Sequence, residues 1–461
     1  MLFTKRYLVK TTVPLFIQNI LAVTIGMLDT MMVSSAGDTA VAGVSLVNSL
    51  DTMLVLVFTS IAAGGTVVIS QLLGAKKTEE ARDASKQMLY ATAAIAAILT
   101  AVVLLLRKPL LSVLFGSAEA DVMASAHSYF FFVAMSFPFL AIQGGCNAIF
   151  RVMGKNTSST VVSLIANLIN VGGNALLIMV FHLGAAGAAI ATLVSRFCAA
   201  VIMLVLIRDP KHLLHINRFL HYRPNARVIK GILRIGVPNG IENGMFNFGK
   251  LLTQSLISSM GTAVIAANAV ASTLANFQYM PGTSINGTLI PVVGQCVGAH
   301  EPKQAKYYSR LLVFATYCCL WVVVLGTFLL AKPIIGIYDL TAEGQDLAFQ
   351  MICYHAIWAA LIWPIAFTLP NTFRAASDVK FPLVISMFSM WIFRVAGAYV
   401  FSLSQVNVAG LFVIPGLGLG AMGVWYAMTV DWVFRAVLFL VHYIKGKWLL
   451  RYTPVKTKAA K

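Results

Sequence analysis

The sequence contains few charged side chains: only 11% of its 461 residues are charged, and just 16 are Asp or Glu. Apolar residues make up 59% of the chain, and its mean hydropathy is +0.83. A chain of this length with so little polar surface cannot cover a soluble globule. The composition therefore excludes a soluble protein and indicates a polytopic membrane protein.

The sequence motifs of common enzyme classes are also missing. None of G-x-x-x-x-G-K-[ST], H-E-x-x-H or G-x-S-x-G occurs, and no connection is large enough to hold a soluble active site. No loop resembles the selectivity filter of a channel. We therefore expect neither an enzyme nor a channel, and we assign no catalytic residue.

Cysteine is scarce, and its spacing matches no metal-site or disulfide pattern. The six cysteines lie within or near apolar runs, with no CxxC and no Cys/His spacing typical of a metal site. We interpret them as small apolar packing residues. No cofactor and no dedicated metal site are expected; the one ion that the hypothesis below requires is H+ or Na+.

Positive charge, in contrast, is abundant: the chain has 34 Lys and Arg residues and a formal charge of +18. If the N-terminus is cytoplasmic, 27 of those 34 residues fall in alternate connections on the cytoplasmic side. This bias follows the positive-inside rule and argues against nucleic-acid binding. It predicts a multi-pass protein of the plasma membrane, the inner membrane in a bacterium, with both termini in the cytoplasm.

Apolar runs of about 20 residues recur twelve times, which predicts twelve transmembrane helices. The stretch VPLFIQNILAVTIGMLDTMMVSSAG at 13–37 recurs as VPNGIENGMFNFGKLLTQSLISSMG at 237–261, with Pro, Asn and Ser-Ser-x-Gly at matching places. The chain is therefore a duplication. We expect an all-α integral membrane protein with twelve transmembrane helices in two pseudo-symmetric six-helix lobes.

The duplication also sets the expected division of the chain. We predict an N-terminal lobe at 1–207, a basic cytoplasmic linker at 208–231, and a C-terminal lobe at 232–461 that ends in a basic tail. Near the ends of the halves, LGAAGAAIATLV at 183–194 matches LGAMGVWYAMTV at 419–430. Matching positions are farther apart here than in the first helices of the two halves, which indicates an insertion before the last helix.

One carboxylate, that of Asp29, lies inside the first apolar run. An Asp near the centre of such a helix costs about 2.5 to 3.5 kcal/mol, so it should face protein or water rather than lipid. Asn170 and Asn174 lie one turn apart on one helix face, and Thr192 lies on the next helix. Carboxylate, amide and hydroxyl oxygens suit a proton or Na+ site. Hydrogen bonding between helices is an equally open interpretation of the asparagines.

The seventh predicted helix carries a polar stripe. Its members follow the i, i+4, i+7, i+11 spacing of one helix face, which we expect to line a substrate cavity: Asn243, Asn247, Lys250 and Gln254. Glu242 lies beside the stripe, and its counterpart in the first half is Gln18, so both join the predicted cavity. Two interpretations of Glu242 and Lys250 stay open, namely an ion pair between helices and substrate binding.

Prolines interrupt several predicted spans. Pro14 and Pro238 occupy matching places in helices 1 and 7, and we predict a helix bend at each. The eighth helix contains MPGTSINGTLIP and is expected to be bent or broken. Such irregular segments are typical of transporters that alternate their access between the two sides of a membrane.

The chain resembles the multidrug and toxic compound extrusion (MATE) transporters over essentially its whole length. The resemblance rests on the tandem six-helix halves, the spacing from Pro14 to Asp29, GxxxxxSQLLGAKK after helix 2 and LGAAGAAIATLVSR in helix 6. It implies two lobes around a central cavity and the export of mostly cationic, amphipathic drugs in exchange for H+ or Na+. It also implies a bend at Pro14, a cation-coupling role for Asp29, and a polar network around that carboxylate formed by Asn170, Asn174 and Thr192.

Small-molecule substrates and membrane lipids are the expected partners, and the protein is expected to be a monomer. Two positions depart from the family pattern. Relatives often have a second Asp where this chain has Asn174, which leaves Asp29 alone. Another group of relatives has an acidic residue where this chain has Phe246, and the nearby Lys250 would repel a cation and could instead bind an anionic group.

These departures keep an alternative cargo open: the protein could be a flippase or exporter of lipid-linked or anionic precursors. Lys250, Arg394 and Arg435 are basic residues inside predicted spans that could hold a pyrophosphate. For Arg394, Arg435 and Asp431, however, a structural or helix-end role is the favoured interpretation.

Overall fold

Six long helices form the first half of the chain. The structure is a computed structural model, and it describes residues 2–115, 119–217, 224–338, 340–408 and 412–451. The helices are α1 Lys5–Ser34, α2 Asp38–Gly74, α3 Thr78–Phe115, α4 Ala120–Val152, α5 Asn156–Val180 and α6 Gly184–Ile207. α4 packs against α2, α3 and α6, while α1 packs against α5.

Small residues allow these helices to approach closely. A Cβ atom added at Gly43 of α2 would lie 2.9 Å from the backbone of Val122 and Ala126, so α2 and α4 meet there without a side chain between them. Close backbone approach at small residues is the usual basis of helix packing in membranes. Phe130 and Phe137 of α4 are fully buried beside this contact and form part of the apolar core.

Six further helices form the second half. They are α7 Ala226–Ser258, α8 Thr262–Gly298, α9 Pro302–Ile335, α10 Ala342–Ala375, α11 Lys380–Ser402 and α12 Ala421–Lys445. Ten of the twelve helices in the described residues are long and apolar enough to cross a membrane; α7 and α8, with 33 and 37 residues, are the other two. The predicted count of six helices per half is confirmed.

A short β-hairpin precedes α12. Strand β1 (Gln405–Val408) pairs antiparallel with β2 (Phe412–Pro415), and Gln405 lies opposite Pro415. The hairpin lies in the segment where the sequence indicated an insertion, and the described part of the first half has no strand. It is the one departure from an all-helical architecture among the described residues.

The described residues divide into two compact units. One runs from the N-terminal end to Gly240 and includes Gly298–His300; the other comprises Ile241–Val297 and the residues from Glu301 onward. The three-part division into 1–207, 208–231 and 232–461 stays a prediction. Within the first unit, Arg82 Nε donates to the Leu213 carbonyl at 2.9 Å, so the beginning of the linker contacts α3. Residues 218–223 of the predicted linker and the tail from 452 lie outside the described residues.

Three helices contain a π segment: Ala175–Val180 in α5, Pro364–Thr368 in α10 and Met390–Ala396 in α11. A π turn holds one more residue than an α turn and often lies near a functional site. Pro364 begins the segment in α10, where its missing N–H removes a helical hydrogen bond. The prolines of α8 also lack an N–H, but they do not interrupt the helix, because α8 is one helix through Pro281 and Pro291. The break considered for this segment is therefore absent.

Candidate functional site: two cavities

A cavity of about 190 Å³ lies within the first unit, and α1 carries Asp29 into its wall. Asp29 is half-buried, and its Oδ1 accepts a hydrogen bond of 2.7 Å from Asn174 Nδ2. The hydrogen-bonding network orients the Asn170 amide nitrogen toward the same carboxylate, at 2.7 Å from Oδ1 and 3.2 Å from Oδ2. Two neutral amides therefore hold one carboxylate.

Thr192 completes this network from α6. Its hydroxyl donates to the Asn170 side-chain oxygen at 3.3 Å and to the Ala188 carbonyl at 2.9 Å. Asn170 and Asn174 are both buried, whereas Asp29 reaches the cavity. The structure therefore brings together all four residues of the predicted cation-coupling site.

A second pair of charges lines the same cavity. Asp51 of α2 and Arg196 of α6 form an ion pair with 3.5 Å between Oδ2 and Nη2, and Arg196 Nη1 donates to Ser136 Oγ at 2.8 Å. Asp51 Oδ1 is buried and has no hydrogen-bond partner among the described residues. Neither residue belongs to the site predicted from the sequence. Two opposite charges inside apolar runs are the signal that could have paired them.

The N-terminal cavity thus has two carboxylates and one guanidinium in its wall. Its chemistry suits the binding of one small cation, because the proton or ion would neutralise a carboxylate that the protein leaves without a positive partner. Among the described residues, no group of three or more His, Cys, Asp or Glu side chains could hold a metal ion.

A larger cavity, of about 370 Å³, lies within the second unit. Aromatic side chains dominate its wall, which includes Phe246, Tyr279, Trp363, Phe367, Trp425 and Trp432. Two cationic side chains, Lys250 and Arg394, also line it, and no carboxylate does. The cavity is therefore apolar and positively charged.

The ring of Phe246 lies among three cationic groups. Lys250 Nζ is 5.4 Å from the ring centroid, Arg394 Cζ is 5.3 Å from it and Arg435 Cζ is 5.4 Å from it. Such distances fit cation–π attraction. These cations therefore lie beside an aromatic face rather than beside a carboxylate.

Asp431 is the carboxylate behind this wall. Its Oδ1 lies 2.7 Å from Arg435 Nε and also accepts a hydrogen bond from Ser389, while its Oδ2 is 3.7 Å from Arg394 Nη1. The structural interpretation of Arg435 and Asp431 agrees with these contacts. Arg394 differs, because its guanidinium also lines the cavity.

The predicted substrate-cavity residues are dispersed. Lys250 and Gln254 line the C-terminal cavity. Glu242 instead forms a buried ion pair with Arg374, with 2.7 Å between Oε1 and Nη2, so Lys250 is not its partner. Gln18 donates to Ser163 Oγ at 2.9 Å. Asn247 donates to the backbone carbonyl of Asn243 at 2.9 Å, and neither residue lines either of the two cavities.

Ten of the described helices are long and apolar enough to cross a membrane, and each unit contains a cavity lined by polar side chains. These features are typical of a multi-pass membrane transporter. The family model MatE matches residues 14–176 and again residues 238–400, so each half of the duplication matches it. The chain belongs to the MATE family. The family resemblance drawn from the sequence is confirmed, as is the expectation of a transporter rather than an enzyme.

Relatives match along nearly the whole chain. The chain is 26% identical over 450 residues to the "uncharacterized transporter YisQ" of Bacillus subtilis, covering 95% of this chain and 94% of the relative. It is 25% identical over 454 residues to the "probable multidrug resistance protein NorM" of Thermotoga maritima, covering 96% and 93%.

A solved structure supports the same architecture. The outward-facing conformation of a multidrug resistance MATE family transporter of the MOP superfamily superimposes with a TM-score of 0.86. The two proteins are 17% identical, and the match covers 96% of each chain. At this level of identity the likeness shows the fold, and it confirms the predicted twelve-helix architecture.

Proposed function

We propose that the protein is a secondary antiporter that exports amphipathic organic compounds by alternating access, in exchange for H+ or Na+ bound at Asp29. Cationic drugs are the cargo class that the family suggests. The observation that carries the proposal is the Asp29 carboxylate, which reaches a cavity and is held by two neutral amides rather than by a cation.

The amides explain how one ion could switch this site. They donate to the charged carboxylate, so neutralising Asp29 weakens both hydrogen bonds at once. Asp51 does not respond in the same way, because Arg196 remains beside it. Loading and release of one ion would therefore alter the contact of α1 with α5 while the neighbouring ion pair stays intact, which is the coupling that an antiporter needs.

The test uses purified protein in liposomes loaded with a fluorescent organic cation, ethidium, under an imposed pH gradient or an imposed Na+ gradient. We expect one gradient to drive movement and Asp29→Asn to reduce it to the level of protein-free liposomes. Asp121→Asn, at an exposed position at the start of α4, is the matched control and should transport normally. Undiminished gradient-driven movement in the Asp29→Asn variant would refute the proposal.

A second candidate cargo is an anionic or lipid-linked precursor, as the basic cavity of the second unit suggests. Ethidium would then not move under either gradient, and an anionic probe would.

We also propose the orientation and the assembly of the protein in the plasma membrane. Both termini lie in the cytoplasm, because 27 of the 34 basic residues then fall on that side. The lobes at 1–207 and 232–461, joined by a basic linker at 208–231, act within one monomer. Labelling of a single cysteine introduced near residue 455, in intact and in opened cells, tests the orientation; labelling in intact cells by an impermeant reagent would contradict it.

A further inference from the structure

We propose that the C-terminal cavity binds an organic anion with a flat aromatic body, and that Lys250 and Arg394 hold its anionic group. This inference deepens the second candidate cargo named above, the anionic one, for the proposed antiporter, and only its transport consequence rests on that function. The binding itself is a property of the second unit and can be measured without any gradient.

The first argument is the charge of the wall. Lys250 and Arg394 line the cavity. Asp431 lies behind the wall, 2.7 Å from Arg435 and 3.7 Å from Arg394, so it offsets part of the charge of Arg394 and none of that of Lys250. Among the described residues, the ammonium of Lys250 has no hydrogen-bond or ion-pair partner; its one close polar attraction is to the ring of Phe246. Lys250 is exposed to the cavity, so its ammonium is accessible to a ligand and attracts an anion there. An anionic ligand supplies the missing counter-charge.

The second argument is the shape of the aromatic wall. Tyr279 and Trp363 stack with 5.8 Å between ring centroids and 5° between planes, and Trp363 stacks on Phe367 at 5.4 Å and 25°. Three nearly parallel rings therefore form a ladder beside the cavity. A planar aromatic ligand can pack against such a surface, whereas a flexible isoprenoid chain gains nothing from the alignment of the rings.

The third argument comes from the duplication. The two matched ranges, 14–176 and 238–400, begin and end 224 residues apart, and we align the two halves at that spacing. At that spacing, four positions of α1, α2 and α5 that form the N-terminal site match positions that line the C-terminal cavity. These pairs are Gly26 and Lys250, Asp29 and Thr253, Asp51 and Ala275, and Asn170 and Arg394.

Each of these four pairs changes the charge in the same direction. Two carboxylates are replaced by neutral side chains, and two neutral residues are replaced by cations. In the last helix of each half, Arg196 corresponds to Trp432 by the match of 183–194 with 419–430, and this change acts in the opposite direction. The wall with Asp29, Asp51 and Arg196 nevertheless stays negative, and the wall with Lys250 and Arg394 stays positive. Corresponding parts of two homologous units thus form cavities of opposite charge, which selects for ligands of opposite charge.

The experiment is equilibrium titration calorimetry on the purified full-length protein in nanodiscs, with three probes of matched size. The probes are 1-naphthoate, the neutral 1-naphthamide and the cationic 1-naphthylmethylammonium. We expect naphthoate to bind most tightly, and Lys250→Gln to weaken its binding roughly tenfold or more while leaving naphthamide binding nearly unchanged. Because Lys250 forms no ion pair among the described residues, this variant should fold.

The matched control is Lys332→Gln. Lys332 Nζ also lies over an aromatic ring, 5.2 Å from the centroid of Phe349, but the residue does not line the cavity. Naphthoate binding should be unchanged in this variant. A second test variant, Arg394→Gln, should weaken naphthoate binding as Lys250→Gln does.

Three outcomes would overturn the proposal. The first is equal or tighter binding of the cationic probe, and the second is naphthoate binding that ignores Lys250→Gln. The third is tight binding of farnesyl pyrophosphate with no binding of naphthoate, which would assign the cavity to a lipid-linked anion instead. Failure of the antiport proposal has a different signature, because Asp29→Asn would then leave transport intact whatever the calorimetry shows.

Discussion

The two cavities hold their charges in different ways. In the N-terminal cavity, two neutral amides hold the carboxylate of Asp29, so a proton or Na+ can add to it without separating an ion pair. In the C-terminal cavity, the ammonium of Lys250 lies over an aromatic ring and is exposed, so an anion can approach it without displacing a carboxylate. On the proposals above, the first half of the chain couples transport to an ion, and the second half recognises an anionic cargo.

The largest expected effect comes from moving the carboxylate between the halves. The double variant Asp29→Thr, Thr253→Asp keeps the number of carboxylates constant. It moves the acid to the second half, where Arg394 occupies the position that corresponds to Asn170. We expect no ion-driven efflux, because position 253 lacks the two amide donors of α5. Efflux measured in liposomes checks this. Recovery of wild-type efflux would show that the two cavities are interchangeable, and a single Asp29→Thr variant serves as the reference.

The next effect compares the ion pairs of the two halves. Glu242 and Arg374 are 9% and 15% exposed and 2.7 Å apart, whereas Asp51 and Arg196 are 17% and 20% exposed and 3.5 Å apart. Glu242→Gln leaves a buried guanidinium unpaired and should lower the free energy of unfolding by about 3 to 5 kcal/mol.

Asp51→Asn should cost only about 1 kcal/mol, because that pair is longer and faces a cavity. Denaturant titration of the two purified variants in the same detergent measures the difference. Equal destabilisation would mean that both pairs are structural, and the contrast between the halves would then be limited to Asp29 and Lys250.

A smaller effect is expected from the aromatic ladder. Trp363→Leu removes the central ring of the stack and should weaken naphthoate binding about two- to tenfold, since an aromatic pair is worth about 0.5 to 1.5 kcal/mol. Trp391→Leu is the matched control. Trp391 also packs against an aromatic ring, with 6.0 Å between its ring centroid and that of Phe248, but it does not line the cavity. The same loss in both variants would indicate a general effect of tryptophan removal rather than stacking in the cavity.

The smallest effect concerns pH and the linker. Burial lowers the pKa of His212 from its usual 6.5, and the nearby Lys155, whose Nζ lies 2.7 Å from His212 Nδ1, lowers it further. The folded protein therefore binds a proton at His212 less readily than the unfolded chain does. Stability from this residue is present above pH 6.5 and is lost as the pH falls below it toward the lowered pKa.

His212→Gln should therefore flatten the thermal stability between pH 8 and pH 5, leaving the two cavities unaffected. Thermal melts at several pH values compare the variant with the wild type. A steeper fall in the variant than in the wild type would contradict the assignment.

Much of the fold could be predicted from the sequence, because helices that cross a membrane are long apolar runs and a duplication repeats them in order. The proximity of Asp29, Asn170 and Asn174 was predictable for a related reason, because helical periodicity fixes the face on which each of them lies. Periodicity identifies a face but not the neighbour that meets it. Glu242 and Arg374 are on different helices, and the spacing within α7 gives no information on α10.

The cavity of the second unit was harder to predict for the same reason. Its rings come from α7, α8, α10 and α12, and an aromatic residue in an apolar run is far more often a packing residue than a ligand contact. Lys250 and Gln254 could be found because they belong to one polar stripe. Trp363 and Trp432 could not, since neither interrupts the apolar pattern around it.

The π segment Met390–Ala396 makes the position of Arg394 sensitive to insertions and deletions rather than to substitutions. Each residue of a helix turns the chain by about 100°, and the π turn accommodates one extra residue without displacing the helix ends. Deleting one residue between Met390 and Arg394 would convert the segment to an ordinary helix and rotate Arg394 relative to Lys380–Ser389. Loss of one codon could therefore turn Arg394 out of the cavity wall, although the gene would still encode every residue that lines the cavity.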